Sequence, residues 1–310
     1  MKIIFFGSDS FADIHLRRLI DDGYTIAACV TQPDKPKDRG MKMSVSPIKE
    51  CATSCCIPVL QPETLKADDI VYALRVFDAD VFVVIAYGRF LTSAILALPK
   101  ICSINVHGSL LPKYRGAAPI NWAILNGETE SGVTIIRLNA QMDAGDIISQ
   151  VKIPIGPDET SVDLRRQMMN AGCQLLSDTL KNLNIQTTGQ AQDERLVSLA
   201  PKLNKSLGLI DWTKSAQVIH NQIRGLQPWP LAHTFLKGKS LSVFSSQIFD
   251  IPASQNEPGT IIQIIDQGAV IMTGQGALLI KEVQPAGSRR MDMLSFLNGA
   301  RIGLGARFGV

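Results

Sequence analysis

A chain of 310 residues, 45% of them hydrophobic, is long for one core and comfortable for two. No apolar run reaches the length of a membrane-crossing helix, which excludes a helical membrane protein. The first run, Met1–Gly7, is too short for a signal peptide and lacks a cleavage site, so a cytoplasmic protein is expected. The formal net charge of +3 does not by itself point to nucleic acid, and six cysteines in such a chain read as reduced thiols.

Residues 2–7 form a continuous apolar run ending in Gly7. An amphipathic segment follows, with Phe11, Ile14, Leu16, Leu19 and Ile20, closed by Gly23. A second run covers 25–30. Strand, helix, strand at this spacing is a βαβ unit, and a parallel sheet buried on both faces is expected. Gly7-Ser8-Asp9-Ser10 falls short of a full G-x-G-x-x-G, so a dinucleotide site has little support. Residues 33–49 read as a long basic loop, within which 35–49 hold Lys35, Lys37, Arg39, Lys42 and Lys49 against one acid, Asp38. Cys51, Cys55 and Cys56 cluster with no histidine or second cysteine pair nearby, so no metal site is expected.

Further core strands are expected at 81–85 and 102–106, and an edge or mixed strand at 133–138. Ser161 to Leu180 reads as a long helix, with Leu164, Met168, Leu175, Leu176 and Leu180 on its apolar face. The pattern loosens over 183–208, and a helix is expected at 215–224. Short β-rich runs punctuated by Gly238, Gly259, Gly268, Gly274 and Gly276 take over after Lys239. Lys281, Arg289, Arg290, Arg301 and Arg307 outnumber Glu282 and Asp292 and form a second basic surface. The fold class is α/β: a Rossmann-like, mostly parallel sheet with helices on both faces, followed by a small OB-like β-barrel domain. The expected boundaries are 1–189, a linker at 190–208, and 209–310.

Asn105 and His107 sit two residues apart at the end of an apolar run, where a parallel sheet presents its ligands, and Asp143-Ala144-Gly145-Asp146 follows. A buried histidine paired with an aspartate can hold a proton near neutral pH, and an asparagine amide can donate to a developing oxyanion. These groups suit transfer of an acyl-level carbon to a nucleophile. Taken singly, His107 also reads as a satisfied core histidine and Asp143 as a turn residue. Ser109 lacks a Gly-x-Ser-x-Gly elbow, so covalent serine catalysis is not expected, and Arg115 reads equally as a substrate contact or a brace.

Asn105-x-His107 leading into Ser109-Leu110-Leu111-Pro112-Lys113-Tyr114-Arg115-Gly116, with Asp143-x-Gly145-Asp146 downstream, resembles the folate-dependent formyltransferases. The words Thr31-Gln32-Pro33-Asp34-Lys35-Pro36, Arg39-Gly40, Ser46-Pro47-Ile48-Lys49, Ala86-Tyr87-Gly88, Ile210-Asp211-Trp212, Pro228-Trp229-Pro230 and Gln284-Pro285-Ala286-Gly287 are similar to the methionyl-tRNA formyltransferases in particular. They run along nearly the whole chain. The resemblance implies Asn105, His107 and Asp143 as the catalytic set. It implies 10-formyltetrahydrofolate as co-substrate, without a metal, held near Ala86, Tyr87, Gly88, Phe90, Leu91, Ser109, Leu110, Leu111, Pro112, Gln141 and Met142. It further implies an initiator methionyl-tRNA partner met by Lys35, Lys37, Arg39, Lys42, Arg289 and Arg290, and a monomer. Departures lie at Gly7-Ser8-Asp9-Ser10, Arg137-Leu138-Asn139 and Lys205-Ser206-Leu207-Gly208, none within the catalytic set. The competing readings are a formyltransferase acting on an amino sugar nucleotide and, from another class, a nucleic-acid-binding module with a degenerate enzyme domain.

Overall fold

In the computed structural model, residues 1–37, 42–251 and 256–309 are described. The chain divides into two compact units. One comprises Met1–Ala117, Gly132–Ile153 and Arg166–Ala200; the other comprises Ala118–Ser131, Pro154–Arg165 and Pro201–Val310.

The elements up to residue 200 are, in chain order, β1 (Lys2–Gly7), α1 (Ser10–Asp21), β2 (Thr25–Val30), β3 (Lys35–Lys37), β4 (Lys42–Ser44), α2 (Pro47–Ser54), β5 (Val59–Leu60), α3 (Asp68–Arg75), β6 (Val81–Ile85), α4 (Ser93–Leu96), β7 (Cys102–His107), β8 (Arg115–Gly116), α5 (Pro119–Leu125), β9 (Glu130–Arg137), β10 (Ile147–Pro154), α6 (Ser161–Asn182) and β11 (Leu199–Ala200). A seven-stranded sheet runs in the order β10-β9-β7-β6-β1-β2-β5. From β7 through β6, β1 and β2 to β5 every pairing is parallel, while β9 lies antiparallel to β7. The parallel strands are apolar on both faces because helices cover both: Ile3, Ile4, Phe5 and Phe6 of β1 are fully buried. On one face Ile4, Phe6, Ala28, Val30, Phe82 and Val84 pack with Ile70 and Leu74 of α3 and with Ile95 of α4.

Two departures from the sequence reading in this unit bear on the regions around the site. Residues 33–49, read as a loop, include a ribbon in which Lys35–Lys37 pairs antiparallel with Lys42–Ser44, and α2 begins at Pro47. The edge strand β10 was not anticipated. Its Ser149, Gln150 and Lys152 interrupt the apolar pattern, as befits a strand at the end of the sheet.

In the second unit α7 (Ala216–Gly225) is followed by β12 (Ala232–Leu236), β13 (Lys239–Phe249), β14 (Ile261–Ile265), β15 (Gly268–Met272), β16 (Ala277–Pro285), β17 (Met291–Asp292) and α8 (Met293–Ala300). The strands form one antiparallel sheet in the order β12-β13-β16-β15-β14, with β17 against β16. Its core gathers Trp212, Ile219, Ile223, Leu241, Val243, Ile271, Leu278, Ile280, Met293 and Phe308. Trp212 and Phe308 have ring centroids 5.8 Å apart, and the Trp212 indole N–H is spent on Thr234 Oγ1 at 2.9 Å.

Candidate active site

Strand β7 alternates, so Ile104 and Val106 face one layer while Ser103, Asn105 and His107 face the other. Asn105 stands opposite Val84 of β6 and Ile136 of β9, and His107 opposite Thr134. Both therefore lie at the carboxyl end of the sheet, where β6 also ends and Ala86 takes a positive φ of 45°.

The chain after His107 is folded back by a dense set of bonds. Thr134 Oγ1 donates to Ser109 O at 2.6 Å and accepts from Leu111 N and Gln150 Nε2. Gln150 Nε2 also donates to Leu111 O, and Ser109 Oγ donates to Lys113 O at 2.7 Å. Tyr114 (φ 63°) thereby turns its carbonyl toward His107 Nε2, 2.9 Å away. A carbonyl only accepts, so Nε2 carries a proton and Nδ1 is the nitrogen that faces Asp143, whose Oδ2 lies 3.7 Å off.

Asp143 is itself held in a left-handed conformation (φ 51°). Its Oδ2 accepts from Gly116 N at 2.9 Å. Gln192 Nε2 donates to the carbonyls of both Asp143 and Gly145 at 2.7 Å. The next turn can only be made by glycine, since a Cβ at Gly145 would lie 1.7 Å from Arg137 O. Gly116 is similarly confined: its φ is 131°, and a Cβ there would lie 2.6 Å from Ala200 O. Strand β11 pairs with β8 at this point, and Ser198 Oγ accepts from Tyr114 N at 2.9 Å.

Arg115 is a brace. Its buried guanidinium donates to Gln192 Oε1 from Nε and Nη2 (3.0 and 2.9 Å) and pairs with Glu194 at 2.8 Å. Gln192, Glu194 and Ser198 were missed by sequence reasoning. They come from the polar stretch after α6, which carries no periodic signal and approaches the site only through tertiary structure.

The other expected site residues sort by burial. Tyr87 has its ring in the core, edge-on to Phe6 at 5.6 Å, so only its backbone is available at the strand end; Gln32 Nε2 donates to its carbonyl at 2.8 Å. Burial pushes the Tyr87 phenol up from its ordinary range. Phe90 is exposed and, with Leu91, Arg89, Leu65 and Lys66, lines a groove of about 400 Å³. Ser109 and Leu111 are buried, Leu110 and Pro112 half-buried, and Gln141 and Met142 exposed beside Asp143. Lys35, Lys37 and Lys42 lie on the β3–β4 ribbon; Arg39 lies outside the described residues. Arg289 is exposed on the second unit, whereas Arg290 pairs with Glu282 and lies over the Phe244 ring at 4.5 Å.

Two other chemistries find no support in this unit. The Asp9 carboxylate fills the N-terminus of α1, accepting from Phe11 N and Ala12 N, so that helix end offers no cradle for a phosphate. Burial pushes the thiols of Cys29, Cys51 and Cys173 up to about 12, 11 and 11, so none is a thiolate nucleophile at neutral pH.

A family model described as "Formyl transferase" matches residues 1–180, and one described as "Formyl transferase, C-terminal domain" matches 202–301. The chain is 41% identical over 310 residues to the methionyl-tRNA formyltransferase of Acetivibrio thermocellus, covering 100% of both. It is 43% identical over 305 residues to that of Trichlorobacter lovleyi, covering 98% of this chain and 96% of the relative.

The chain belongs to the methionyl-tRNA formyltransferase family.

Solved structures carry the same formyltransferase fold at lower identity. HypX from Aquifex aeolicus, in complex with tetrahydrofolic acid, aligns with a TM-score of 0.66 at 17% identity over 98% of this chain; the chain spans 48% of HypX. The sugar 3N-formyltransferase WlaRD, determined with dTDP and 5-N-formyl-THF, aligns at 0.67 and 22% identity, covering 93% of this chain and 99% of that one. For a formyltransferase the Asn105, His107 and Asp143 constellation is chemically apt: an amide and an imidazole at one strand end, with a carboxylate beside the ring.

Proposed function

We propose that this chain transfers the formyl group of 10-formyltetrahydrofolate to the free α-amino group of methionyl-initiator-tRNA. The observation that carries the reading is His107 at the end of β7 with Asp143 Oδ2 3.7 Å from its Nδ1, in a chain 41% identical to methionyl-tRNA formyltransferases along its full length.

The amine attacks the formyl carbon as the free base. A C–N bond forms to the α-nitrogen, and the carbonyl oxygen becomes an oxyanion. Asn105 donates its amide N–H to that oxygen, a contribution of about 3 kcal/mol for one well-placed donor. His107 is held by its Nε2–H on the Tyr114 carbonyl and works through Nδ1, the nitrogen turned toward Asp143. The Asp143 carboxylate, steadied by the Gly116 N–H, receives the proton that the attacking nitrogen must lose and relays it through a water. The bond from the formyl carbon to the folate nitrogen then breaks, and that nitrogen takes the proton, leaving tetrahydrofolate and the formylated amine.

The folate lies against the backbone of Ala86, Tyr87 and Gly88 and the turn at Gln141 and Met142. Phe90 and Leu91 wall it, and the segment Ser109 to Pro112 closes one side. The RNA is met by the ribbon residues Lys35, Lys37 and Lys42, by Arg39, and by Arg289 and Arg290; such lysines supply salt-dependent phosphate affinity. Residues 1–189 carry the chemistry and 209–310 hold the RNA, joined by 190–208. The enzyme acts as a monomer in the cytoplasm, where initiator tRNA is charged. Among the described residues no helix is long and apolar enough to cross a membrane.

Single-turnover transfer of labelled formyl by Asn105→Ala, His107→Ala and Asp143→Asn tests the assignment. Each is expected to lose at least about 100-fold in rate with an unchanged melting temperature. A folded His107→Ala or Asp143→Asn with a near-wild-type rate contradicts it.

A further inference from the structure

The β3–β4 ribbon has three residues in each strand, paired Lys35↔Ser44, Pro36↔Met43 and Lys37↔Lys42. A ribbon this short has little stability of its own. The sequence from 35 to 42 is also rich in like charges: Lys35, Lys37, Arg39 and Lys42 against Asp38. Something must fix the direction in which it leaves the sheet.

The described residues on either side of it are tied together. Asp34, immediately before β3, pairs through Oδ2 with Lys49 Nζ at 2.5 Å and accepts on Oδ1 from Gln61 Nε2 at 2.8 Å. Gln61 Nε2 also donates to Gln32 O at 3.0 Å. After β4, Ser46 caps α2 by accepting from Lys49 N at 3.1 Å, and its hydroxyl lies 2.9 Å from that of Thr31. Thr31 is fully buried at the end of β2. Both legs of the ribbon are thus joined to each other and to the sheet. Lys49 and Gln61 hold the Asp34 carboxyl below the usual carboxylate range, so Asp34 is a carboxylate at physiological pH.

On the reading that the ribbon meets the acylated RNA, we infer that the Asp34–Lys49–Gln61 clasp is a positioning device that aims the ribbon at its polyanionic partner. Lys49 is then not one of the lysines that touch phosphate. Its charge is spent inside the protein, although its place in a basic stretch makes it look like a nucleic-acid contact.

The test is steady-state kinetics of Asp34→Asn, Lys49→Met, Lys49→Arg and the charge-exchanged double variant D34K/K49D. Methionyl-initiator-tRNA is the acceptor, at several salt concentrations, with wild type alongside. The expected result for Asp34→Asn and Lys49→Met is a KM for the RNA raised about tenfold, with kcat within about twofold and the KM for 10-formyltetrahydrofolate unchanged, since a displaced docking element weakens binding without touching the reacting groups. Lys49→Arg and D34K/K49D are expected to recover most of the loss, and the salt slope of RNA binding should match wild type throughout. Failure of the double variant to recover, together with a slope reduced by about one, would identify Lys49 as a phosphate contact and overturn the inference. Unchanged RNA KM in both single variants also overturns it, as does a loss confined to kcat or to the folate KM. Lys49→Arg keeps the test decisive if Lys49→Met melts early. If the wild type does not use the RNA at all, the parent reading fails, and the clasp's role falls with it.

Discussion

Gln192 holds Asp143 by its backbone: one amide nitrogen lies 2.7 Å from the Asp143 carbonyl oxygen and 2.7 Å from that of Gly145, while the same side chain's oxygen takes the buried Arg115 guanidinium. A carboxylate on a left-handed turn is aimed only as well as that turn is fixed. The fixing residue comes from a segment 49 positions further along the chain.

Gln192→Ala should therefore act on the chemistry more than on affinity. It removes both donations to the turn and leaves Arg115 with Glu194 alone, costing about 1–3 kcal/mol of stability. Turnover should fall by about tenfold or more, with the KM for the RNA little changed. Urea unfolding and single-turnover transfer measure the two effects; an unaltered rate would show that Asp143 needs no such support.

Gly145→Ala should be worse than its size suggests. The added methyl would meet Arg137 O at 1.7 Å, so either the turn bearing Asp143 or the end of β9 must move. Loss of turnover with only partial loss of stability is expected, because the chain can swing the turn outward more cheaply than it can unfold. A variant as active as wild type would mean that the turn's geometry is not critical to the reaction.

The second unit should lose stability on acidification through His220. The ring is buried, with Nε2 on Pro157 O at 3.0 Å and Nδ1 on the Ser246 hydroxyl at 2.9 Å. Burial first, and then the nearby Arg224 cation, pull its pKa below the ordinary histidine range against the raising effects of the Pro157 carbonyl and Asp158. The unfolded chain then binds the proton more readily than the folded one. Stability is fully present above about pH 6.5 and declines as the pH falls from there toward the depressed folded value. Thermal melts between pH 5 and 8 should show a slope that is reduced in His220→Gln; identical slopes in both proteins would remove His220 as the cause.

Arg289 and Arg290 should separate in RNA binding. Both side chains are exposed, but Arg290 is paired with Glu282 and lies over the Phe244 ring. Arg289→Ala is expected to weaken binding and lower the salt slope by about one, and Arg290→Ala to do less of both. Filter-binding titrations at graded salt measure it, and a larger effect at Arg290 would reverse the assignment.

The parts of this molecule that were legible in the sequence are those whose pattern is local. β1, β2, β6 and β7 are runs of apolar residues because both faces of the sheet are covered, and Asn105 and His107 stand out as polar interruptions at the end of one such run. Asp143 was legible through the small residues that follow it. The supports were not. Thr134 lies in a strand that reads as apolar, Gln150 lies on an unanticipated edge strand, and Gln192 and Glu194 belong to a polar stretch that looks like any linker. The Asp34–Lys49 pair was hidden differently: both residues sit in a charged stretch where solvent exposure is the ordinary expectation, and only the fold shows them facing each other.

The most direct test is transfer of labelled formyl from 10-formyltetrahydrofolate with methionyl-initiator-tRNA, methionyl-elongator-tRNA and an amino sugar nucleotide offered side by side. Selective labelling of the initiator is the predicted result. Labelling of the sugar nucleotide alone would keep the Asn105–His107–Asp143 chemistry but contradict the RNA acceptor, and labelling of none would contradict the proposed reaction itself.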